Sequence, residues 1–234
     1  MDFAGIISLT LLDYPSKTAC TVFTSGCNFR CPFCHNSALV LPEMINSSAE
    51  QPVSEEELLK FLKKRSGLLD GICISGGEPL MDFGGLCSVL PKIKSLGYSV
   101  KLDTNGSFPD RLQKLIADGL VDYVAMDIKN SFPHYAETIG IPNFDVAPIK
   151  KSIDIIMSSS LDYEFRTTVL HEFHNKERIT ELCSGIIGAS RYFLQQFKDT
   201  DNVIKKGLTP LSADEIKEMA SAAQKFVPCE IRGI

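Results

Sequence analysis

A regular alternation of short apolar runs with longer amphipathic segments restricts the fold of this sequence more than any other feature. The apolar runs predict strands at residues 18–24, 71–75, 98–103, 121–127, 162–169 and 191–197. The amphipathic segments predict helices at about residues 54–66, 84–96, 109–119, 147–158, 176–188 and 212–225. Strands that alternate with helices at this spacing favour a parallel sheet with crossover helices. The six units fall short of the eight that close a complete barrel.

Two of the predicted helices begin with a capping-box signature. Ser54 is followed three residues later by Glu57, and Ser212 by Glu215, each at the start of an amphipathic segment. In this pattern the two side chains satisfy backbone N–H groups that a helix end leaves unpaired. We therefore expect helices to begin at both positions.

Length and charge narrow the class of protein. A chain of 234 residues is long enough for one substantial core, and we expect a single domain over residues 1–234. The net charge of −5 reflects an excess of acidic over basic residues, which argues against a nucleic-acid partner. No apolar run approaches the ~18 residues of a membrane span, and the N-terminus lacks a signal peptide. We therefore expect a cytoplasmic protein without a membrane partner.

Three cysteines follow the first predicted strand in the spacing C-x3-C-x2-C, at Cys27, Cys31 and Cys34. Three thiolates in one short loop can hold three corners of an iron–sulfur cube, which leaves the fourth iron open to a small molecule. Gly26 and Pro32 favour a loop over a helix here, so the sulfurs can turn inward. The spacing differs from the cysteine runs of bacterial and plant-type ferredoxins.

Two other interpretations of these cysteines stay open at this point. His35 follows Cys34 directly, so a Cys3His zinc site is conceivable, although structural zinc ligands usually come as two pairs and the sequence has no second pair. The three residues could also be buried thiols without a ligand. The other cysteines are scattered singly, and we interpret them as core or incidental thiols: Cys20, Cys73, Cys87, Cys183 and Cys229.

Polar motifs stand at the carboxyl ends of the later predicted strands. G-G-E-P at 76–79 follows the second strand, D-T-N at 103–105 the third, and Asp127 and Lys129 the fourth, while Arg166 lies in the fifth. In parallel α/β folds the loops after the strands converge at one edge of the sheet, where ligands bind. These dispersed residues are therefore predicted to form one site together with the cysteine loop.

The motifs resemble those of the radical S-adenosylmethionine (SAM) superfamily and, within it, the activases of glycyl radical enzymes. The resemblance spans most of the chain and is nearest to the group of anaerobic ribonucleoside-triphosphate reductase activating proteins. It rests on L-L-D-Y-P at 11–15, G-C-N-F-R-C-P-F-C-H-N at 26–36, G-G-E-P at 76–79, L-D-T-N-G at 102–106, D-Y-V-A-M-D-I-K at 122–129 and E-F-R-T-T-V at 164–169.

The resemblance implies a fold, two cofactors and a reaction. The fold is an α/β partial (β/α)6 barrel of parallel strands. The cofactors are one 4Fe–4S cluster and SAM, with a monovalent cation as a further candidate. The enzyme would be an oxidoreductase that reductively cleaves SAM to a 5′-deoxyadenosyl radical and removes a glycine Cα hydrogen from a partner glycyl radical enzyme. That partner is expected to be anaerobic ribonucleotide reductase, and the electron donor a flavodoxin or ferredoxin-type protein.

The resemblance also implies which residues bind these groups. The metal ligands are Cys27, Cys31 and Cys34. The SAM pocket comprises His35, Gly76, Gly77, Glu78, Pro79, Asp103, Thr104, Asn105, Asp127, Lys129, Arg166 and Gln196. Within it, Lys129 is expected to pair with the methionine carboxylate, Glu78 to accept from the methionine amino group, and the two aspartates to bind the ribose or a cation. Gln196 stands where related activases carry a SAM-binding histidine. No role is expected for His134, His171 and His174, which we interpret as surface or loop residues.

Three alternative functions are carried forward. One keeps the radical SAM chemistry and changes the substrate to another peptide or a small molecule. Another is a non-enzymatic iron–sulfur electron carrier, which would leave G-G-E-P and Lys129 unexplained. The third is a zinc-binding interaction module.

Overall fold

The computed structural model describes residues 1–41 and 52–234. The strands in these ranges are β1 Asp2–Phe3, β2 Gly5–Thr10, β3 Ala19–Thr24, β4 Val53–Ser54, β5 Gly71–Gly76, β6 Ser99–Thr104, β7 Tyr123–Asp127, β8 Asp162–Val169, β9 Tyr192–Gln196 and β10 Cys229–Arg232. The α-helices are α1 Ser37–Val40, α2 Glu55–Lys64, α3 Phe83–Ser95, α4 Pro109–Ala117, α5 Tyr135–Ile139, α6 Ala147–Ser158, α7 Lys176–Ser184 and α8 Ala213–Ala223. Short 3-10 helices span Pro79–Asp82 and Phe132–His134.

One eight-stranded sheet organises the molecule, in the order β10-β9-β8-β7-β6-β5-β3-β2. Every neighbouring pair in it is parallel except β2 and β3, which are antiparallel. The strands β1 and β4 form a separate antiparallel pair. Because β2 and β10 lie at opposite edges and do not pair with each other, the barrel is incomplete. The predicted α/β partial barrel is therefore confirmed.

All six predicted strands and all six predicted helices are present, and the sheet has two more strands than the sequence indicated. The strand β2 adds an antiparallel edge, and β10 adds a seventh parallel strand. The prediction missed β10 because its four residues, C-E-I-R, are too few to show a period-2 pattern. The capping boxes of α2 and α8 are confirmed, with both reciprocal hydrogen bonds in place at each helix.

The central strands present an apolar face to the helices and a polar face to the barrel interior. In β6, S-V-K-L-D-T, Val100 and Leu102 are fully buried in the main hydrophobic core, which also contains the apolar faces of α3, α4 and α6. Lys101 and Asp103 alternate with them, so they point to the opposite face, because successive strand residues lie on opposite sides of a sheet. The interior of the partial barrel therefore collects charged side chains beneath its carboxyl edge.

Two glycines allow the turn after β5 to touch the cysteine loop. The N–H of Gly77 donates to the carbonyl of Thr24 at 2.9 Å, and the N–H of Glu78 donates to that of Gly26 at 2.8 Å. A Cβ atom on Gly77 would lie 1.9 Å from the carbonyl oxygen of Gly26. Gly76 has a φ of +119°, a backbone conformation that is strained for residues with a side chain. A Cβ atom on it would lie 2.4 Å from the backbone nitrogen and oxygen of Thr24. The paired glycines thus hold the cysteine loop against β5.

We expect Gly77→Ala to lower the free energy of unfolding by about 3 kcal/mol, because the added methyl group meets a backbone carbonyl that cannot turn aside. Urea unfolding of the cluster-free protein measures this change. The matched control is Gly84→Ala in α3, where a Cβ meets nothing within 4 Å and the change should be neutral or slightly stabilising. Equal stability losses in the two variants would contradict the steric explanation.

Candidate functional site

A cavity of about 250 Å³ opens at the carboxyl edge of the parallel strands. It is lined by most of the site residues that the sequence predicted: Cys27, Cys31, Cys34, His35, Gly76, Gly77, Asp103, Thr104, Asn105, Asp127, Lys129 and Arg166. The predicted residues Glu78, Pro79 and Gln196 do not line it. Residues from the ends of six strands, or from the loops after them, thus meet in one cavity, as expected for ligand sites in parallel α/β folds.

The side chain of Arg30, inside the cysteine loop, holds the loop backbone in place through hydrogen bonds. The Nη1 atom of Arg30 donates to the carbonyls of Cys27 at 2.6 Å and Phe29 at 2.7 Å. The Sγ atom of Cys27 also accepts contacts from the N–H of Phe29 at 3.4 Å and from the side-chain amide of Asn105 at 3.8 Å. Such N–H contacts to ligand sulfurs tune the potential of iron–sulfur clusters.

The three thiols suit an iron–sulfur cluster. Burial raises the pKa of Cys27 to about 11 and that of Cys31 to about 12. A thiolate at these positions therefore needs a bound cation, which the iron of a cluster would supply. Among residues 1–41 and 52–234, no three His, Cys, Asp or Glu side chains converge closely enough to hold a single metal ion.

Glu78 lies next to the cavity without lining it, and its carboxylate binds residues that do. Its carboxylate is buried and accepts hydrogen bonds from the N–H of Leu80 at 3.0 Å, the hydroxyl of Thr104 at 2.9 Å and the N–H of Asn105 at 2.6 Å. Burial raises the pKa of Glu78 to about 7. The sequence suggested a carboxylate facing SAM, whereas the side chain joins the turn after β5 to the end of β6.

Two aspartates and three basic side chains form an ionic cluster at the cavity floor. The guanidinium of Arg166 lies between the aspartates, with Nε 2.9 Å from Asp127 Oδ1 and Nη1 3.5 Å from Asp103 Oδ2. Lys129 Nζ lies 3.2 Å from the other oxygen of Asp127, and Lys101 pairs with Asp103. Burial alone would raise the pKa of Asp127, but Arg166 and Lys129 hold it well below its usual value. Both carboxylates are therefore ionised and already paired.

Lys101 and Arg232 belong to this ionic system, and the sequence prediction missed both. Lys101 is 1% exposed between apolar residues of β6, a position where an unpaired lysine would be costly. Arg232, in β10, makes two hydrogen bonds of 2.9 Å to Glu164 and lies over the ring of Phe193. The phenol of Tyr123 donates to the same Glu164 at 3.0 Å. For Lys101 the available signal was a charged residue inside a predicted buried strand, whereas Arg232 lies in β10, which the sequence did not predict.

At the end of β9, Gln195 and not Gln196 lines the cavity. The side-chain amide of Gln196 instead donates to the carbonyl of Leu211 at 2.7 Å. Adjacent strand residues point to opposite faces, so only the first glutamine of Q-Q-F shares a face with Phe193 and the barrel interior. The sequence assignment was therefore displaced by one residue.

The histidines occupy three different environments. His35 lines the cavity, and its Nδ1 lies 3.5 Å from the hydroxyl of Thr200. His134 and His171 lie at the surface, as expected. His174 lies in the loop between β8 and α7, as one of the two interpretations had it, but it is 3% exposed and is therefore not a surface residue. The loop after β8 folds back under the strand ends, and the Nε2 of His174 lies 2.8 Å from the carbonyl oxygen of Lys129.

The open parallel sheet and the cavity at its carboxyl edge define an α/β protein with a ligand site lined by three cysteines. The profile of the radical SAM superfamily matches residues 21–184, and the chain belongs to this superfamily. Membership implies a 4Fe–4S cluster and SAM as cofactors, and the thiols and ionic groups of the cavity fit both.

Three similar proteins illustrate the range of the family. A candidate glycyl-radical enzyme activating enzyme of Methanocaldococcus jannaschii is 31% identical over 230 residues, which cover 96% of this chain and 92% of the relative. The pyruvate formate-lyase-activating enzyme of Clostridium pasteurianum is 32% identical over 130 residues, covering 54% of this chain and 51% of its own. A radical SAM methyltransferase structure from Sphaerobacter thermophilus has a TM-score of 0.69 at 14% identity, covering 96% of this chain and 68% of its own.

Within the described ranges, no helix combines the length and the apolar character that crossing a membrane requires.

Acid should destabilise the fold through His174. Burial lowers the pKa of His174 to about 4, from an ordinary value of about 6.5. The unfolded chain therefore takes up a proton first, and stability that is complete above pH ~6.5 is lost as the pH falls towards ~4. We expect the stability advantage of the wild-type over His174→Gln to shrink by about 1.4 kcal/mol per pH unit in this window. Urea unfolding of both proteins at several pH values tests this. A stability difference that is the same at every pH would contradict it.

Proposed function

We propose that this chain is a radical SAM activase that generates a glycyl radical in a partner enzyme. The observation that carries the proposal is the 31% identity to a candidate activating enzyme over 96% of this chain. The convergence of the three cysteines, the paired glycines and the ionic cluster on one cavity supports it independently. We further propose that residues 1–234 act as one radical SAM domain.

The cysteine loop would hold the cluster through Cys27, Cys31 and Cys34, leaving one iron for SAM. When bound, the cluster supplies the electron with which SAM is cleaved to methionine and a 5′-deoxyadenosyl radical. The loop contributes geometry and exclusion of water: Cys31 is 6% exposed, and Phe29 and Phe33 line the same cavity. Apolar walls around a cluster limit the access of solvent and competing reactants.

The ionic cluster would bind the methionine end of SAM. Lys129 is aimed by Asp127, so its ammonium is preorganised for the carboxylate of the ligand. Gly76 and Gly77 bring backbone carbonyls to the cavity, where they can accept from the amino group. A monovalent cation at Asp103 and Asp127 stays a prediction, and it would share oxygens that Arg166 already contacts.

The partner would present a glycine-containing loop to the open side of the barrel. Because β2 and β10 leave the sheet unclosed, a macromolecular loop has a route towards the carboxyl edge. We propose anaerobic ribonucleotide reductase as the partner, on the resemblance of the motifs, and a flavodoxin or ferredoxin-type protein as the electron donor. A different peptide or a small molecule is the alternative substrate.

The test is to incubate the anaerobically reconstituted protein with SAM, a reductant and a purified candidate partner. Electron paramagnetic resonance (EPR) should detect an organic radical on the partner, whose splitting changes when its glycines carry deuterium at Cα. Candidate partners are anaerobic ribonucleotide reductase and a pyruvate formate-lyase-type enzyme from the same organism. SAM cleavage without a radical on any partner, coupled instead to consumption of a small molecule, would refute the activase assignment.

Matched cysteine variants identify the source of the activity. Cys31→Ala should lose the cluster and all SAM cleavage, because it removes one of three iron ligands. Cys183→Ala changes an equally buried thiol in α7 and should retain both iron content and cleavage. Iron analysis and 5′-deoxyadenosine production measure the two effects. Retained cleavage in Cys31→Ala would overturn the ligand assignment.

A further inference from the structure

His174 connects three loops at the carboxyl edge of the sheet. Its Nε2 lies 2.8 Å from the carbonyl oxygen of Lys129, in the loop after β7. The N–H of Leu170, at the end of β8, donates to its Nδ1 at 3.3 Å. Its ring also meets the ring of Phe33 nearly perpendicularly, at 6.3 Å between centroids. These contacts bury the imidazole almost completely.

The partners of the ring determine which nitrogen carries the hydrogen. Because the N–H of Leu170 is a donor, Nδ1 must be the acceptor, and Nε2 is left to donate to the carbonyl of Lys129. The residue is therefore a neutral imidazole in one tautomer. Both backbone groups that it satisfies lie in a buried region, where an unpaired N–H or C=O is costly.

The main chain of Lys129 is held from two sides. On one side its N–H donates to the phenol oxygen of Tyr135 at 3.4 Å, and on the other its carbonyl accepts from His174. The next residue, Asn130, donates to the carbonyl of Phe173 at 2.8 Å, a second tie between the same two loops. With the peptide fixed, the ammonium of Lys129 reaches Asp127 at 3.2 Å and faces the cavity.

Phe33 extends this support to the cysteine loop. The residue lies between Cys31 and Cys34, is 3% exposed and contacts the rings of both Phe173 and His174. The loop after β8 thus touches the cysteine loop through an aromatic contact and the Lys129 segment through hydrogen bonds. A displacement of His174 would change the position of Lys129 relative to the cysteines.

We propose that His174 is a positioning residue that sets the place of the Lys129 ammonium relative to the cysteine loop, and so the affinity of the site for SAM. The inference rests on the proposed function, in which Lys129 pairs with the SAM carboxylate. The imidazole itself touches neither cofactor; it acts through the backbone of Lys129 and the ring of Phe33.

Two variants of the same residue separate its two hydrogen bonds. In His174→Gln the amide nitrogen takes the place of Nε2 and keeps the donor to Lys129. In His174→Asn the amide can reach only the position of Nδ1, so its oxygen still accepts from Leu170 while the Lys129 carbonyl loses its donor. Both variants lose the ring contact with Phe33, and each keeps one of the two hydrogen bonds, so the comparison shows which of the two bonds SAM binding requires.

The readout is the dissociation constant of radiolabelled SAM, measured by anaerobic equilibrium dialysis on reconstituted protein of equal iron content. We expect His174→Gln to bind SAM within about two-fold of the wild-type, because it keeps the donor to the Lys129 carbonyl and the ring contact that it loses is weak. His174→Asn should raise the constant about five- to ten-fold, as expected for one lost hydrogen bond. In a Lys129→Met background the same Asn substitution should cost less than about two-fold, because it acts through that lysine.

Three results would overturn the proposal. Equal SAM affinities of the Gln and Asn variants would show that the hydrogen bond to Lys129 does not matter. An undiminished Asn effect in the Lys129→Met background would show that His174 acts by another route. Wild-type affinity in Lys129→Met alone would remove the lysine from SAM binding and the proposal with it, whereas failure of the wild-type to bind SAM at all would refute the proposed function.

A second measurement does not depend on the folding of the Asn variant. Nitrogen NMR of histidine-labelled wild-type protein, reconstituted and in its oxidised diamagnetic state, should report a neutral ring with the hydrogen on Nε2. The resonances of the same ring nitrogens should shift when SAM is added, because SAM would bind Lys129, whose carbonyl accepts a hydrogen bond from the ring. The opposite tautomer, or ring signals indifferent to bound SAM, would also overturn the proposal.

Discussion

The guanidinium of Arg166, held between Asp103 and Asp127, is the interaction on which the inner face of the sheet depends. These residues come from β8, β6 and β7, so one side chain joins three neighbouring strands at their carboxyl ends. Removing one member would leave a buried charge without its partner, which costs about 3–5 kcal/mol in typical proteins. The same pairing keeps both carboxylates ionised and leaves Lys129 directed at the cavity. Stability and the charge pattern of the site therefore have one source.

Backbone contacts between the loops fix the shape of the cavity above these ion pairs. The turn after β5 meets the cysteine loop at Gly77, and the carboxylate of Glu78 bonds the end of β6. The loop after β8 reaches the Lys129 segment through His174. Each contact uses a main-chain group or a buried neutral ring, so the geometry exists before any ligand arrives. A site that must hold a cluster and SAM in a defined relation benefits from such preorganisation.

The sequence predicted six of the seven parallel strands and the crossover helices from their apolar runs and amphipathic segments, and two of the helices also carry capping boxes. It also predicted which motifs meet, because parallel strands place their carboxyl ends at one edge. It could not supply facts that arise between distant segments. The pairing of Arg232 with Glu164 joins residues 68 positions apart. The choice of Gln195 over Gln196 depends on strand parity, and the burial of His174 depends on how a polar loop folds back.

The proposed function requires an iron–sulfur cluster with one iron open to SAM, which Cys27, Cys31 and Cys34 would hold. The most direct test is EPR of the anaerobically reconstituted and reduced protein, recorded with and without SAM. A reduced-cluster signal that changes shape when SAM is added is the predicted result, because the ligand would bind the open iron. A cluster signal indifferent to SAM would contradict the account and favour an electron carrier. Absence of a cluster from protein with all three cysteines intact would contradict it more fundamentally.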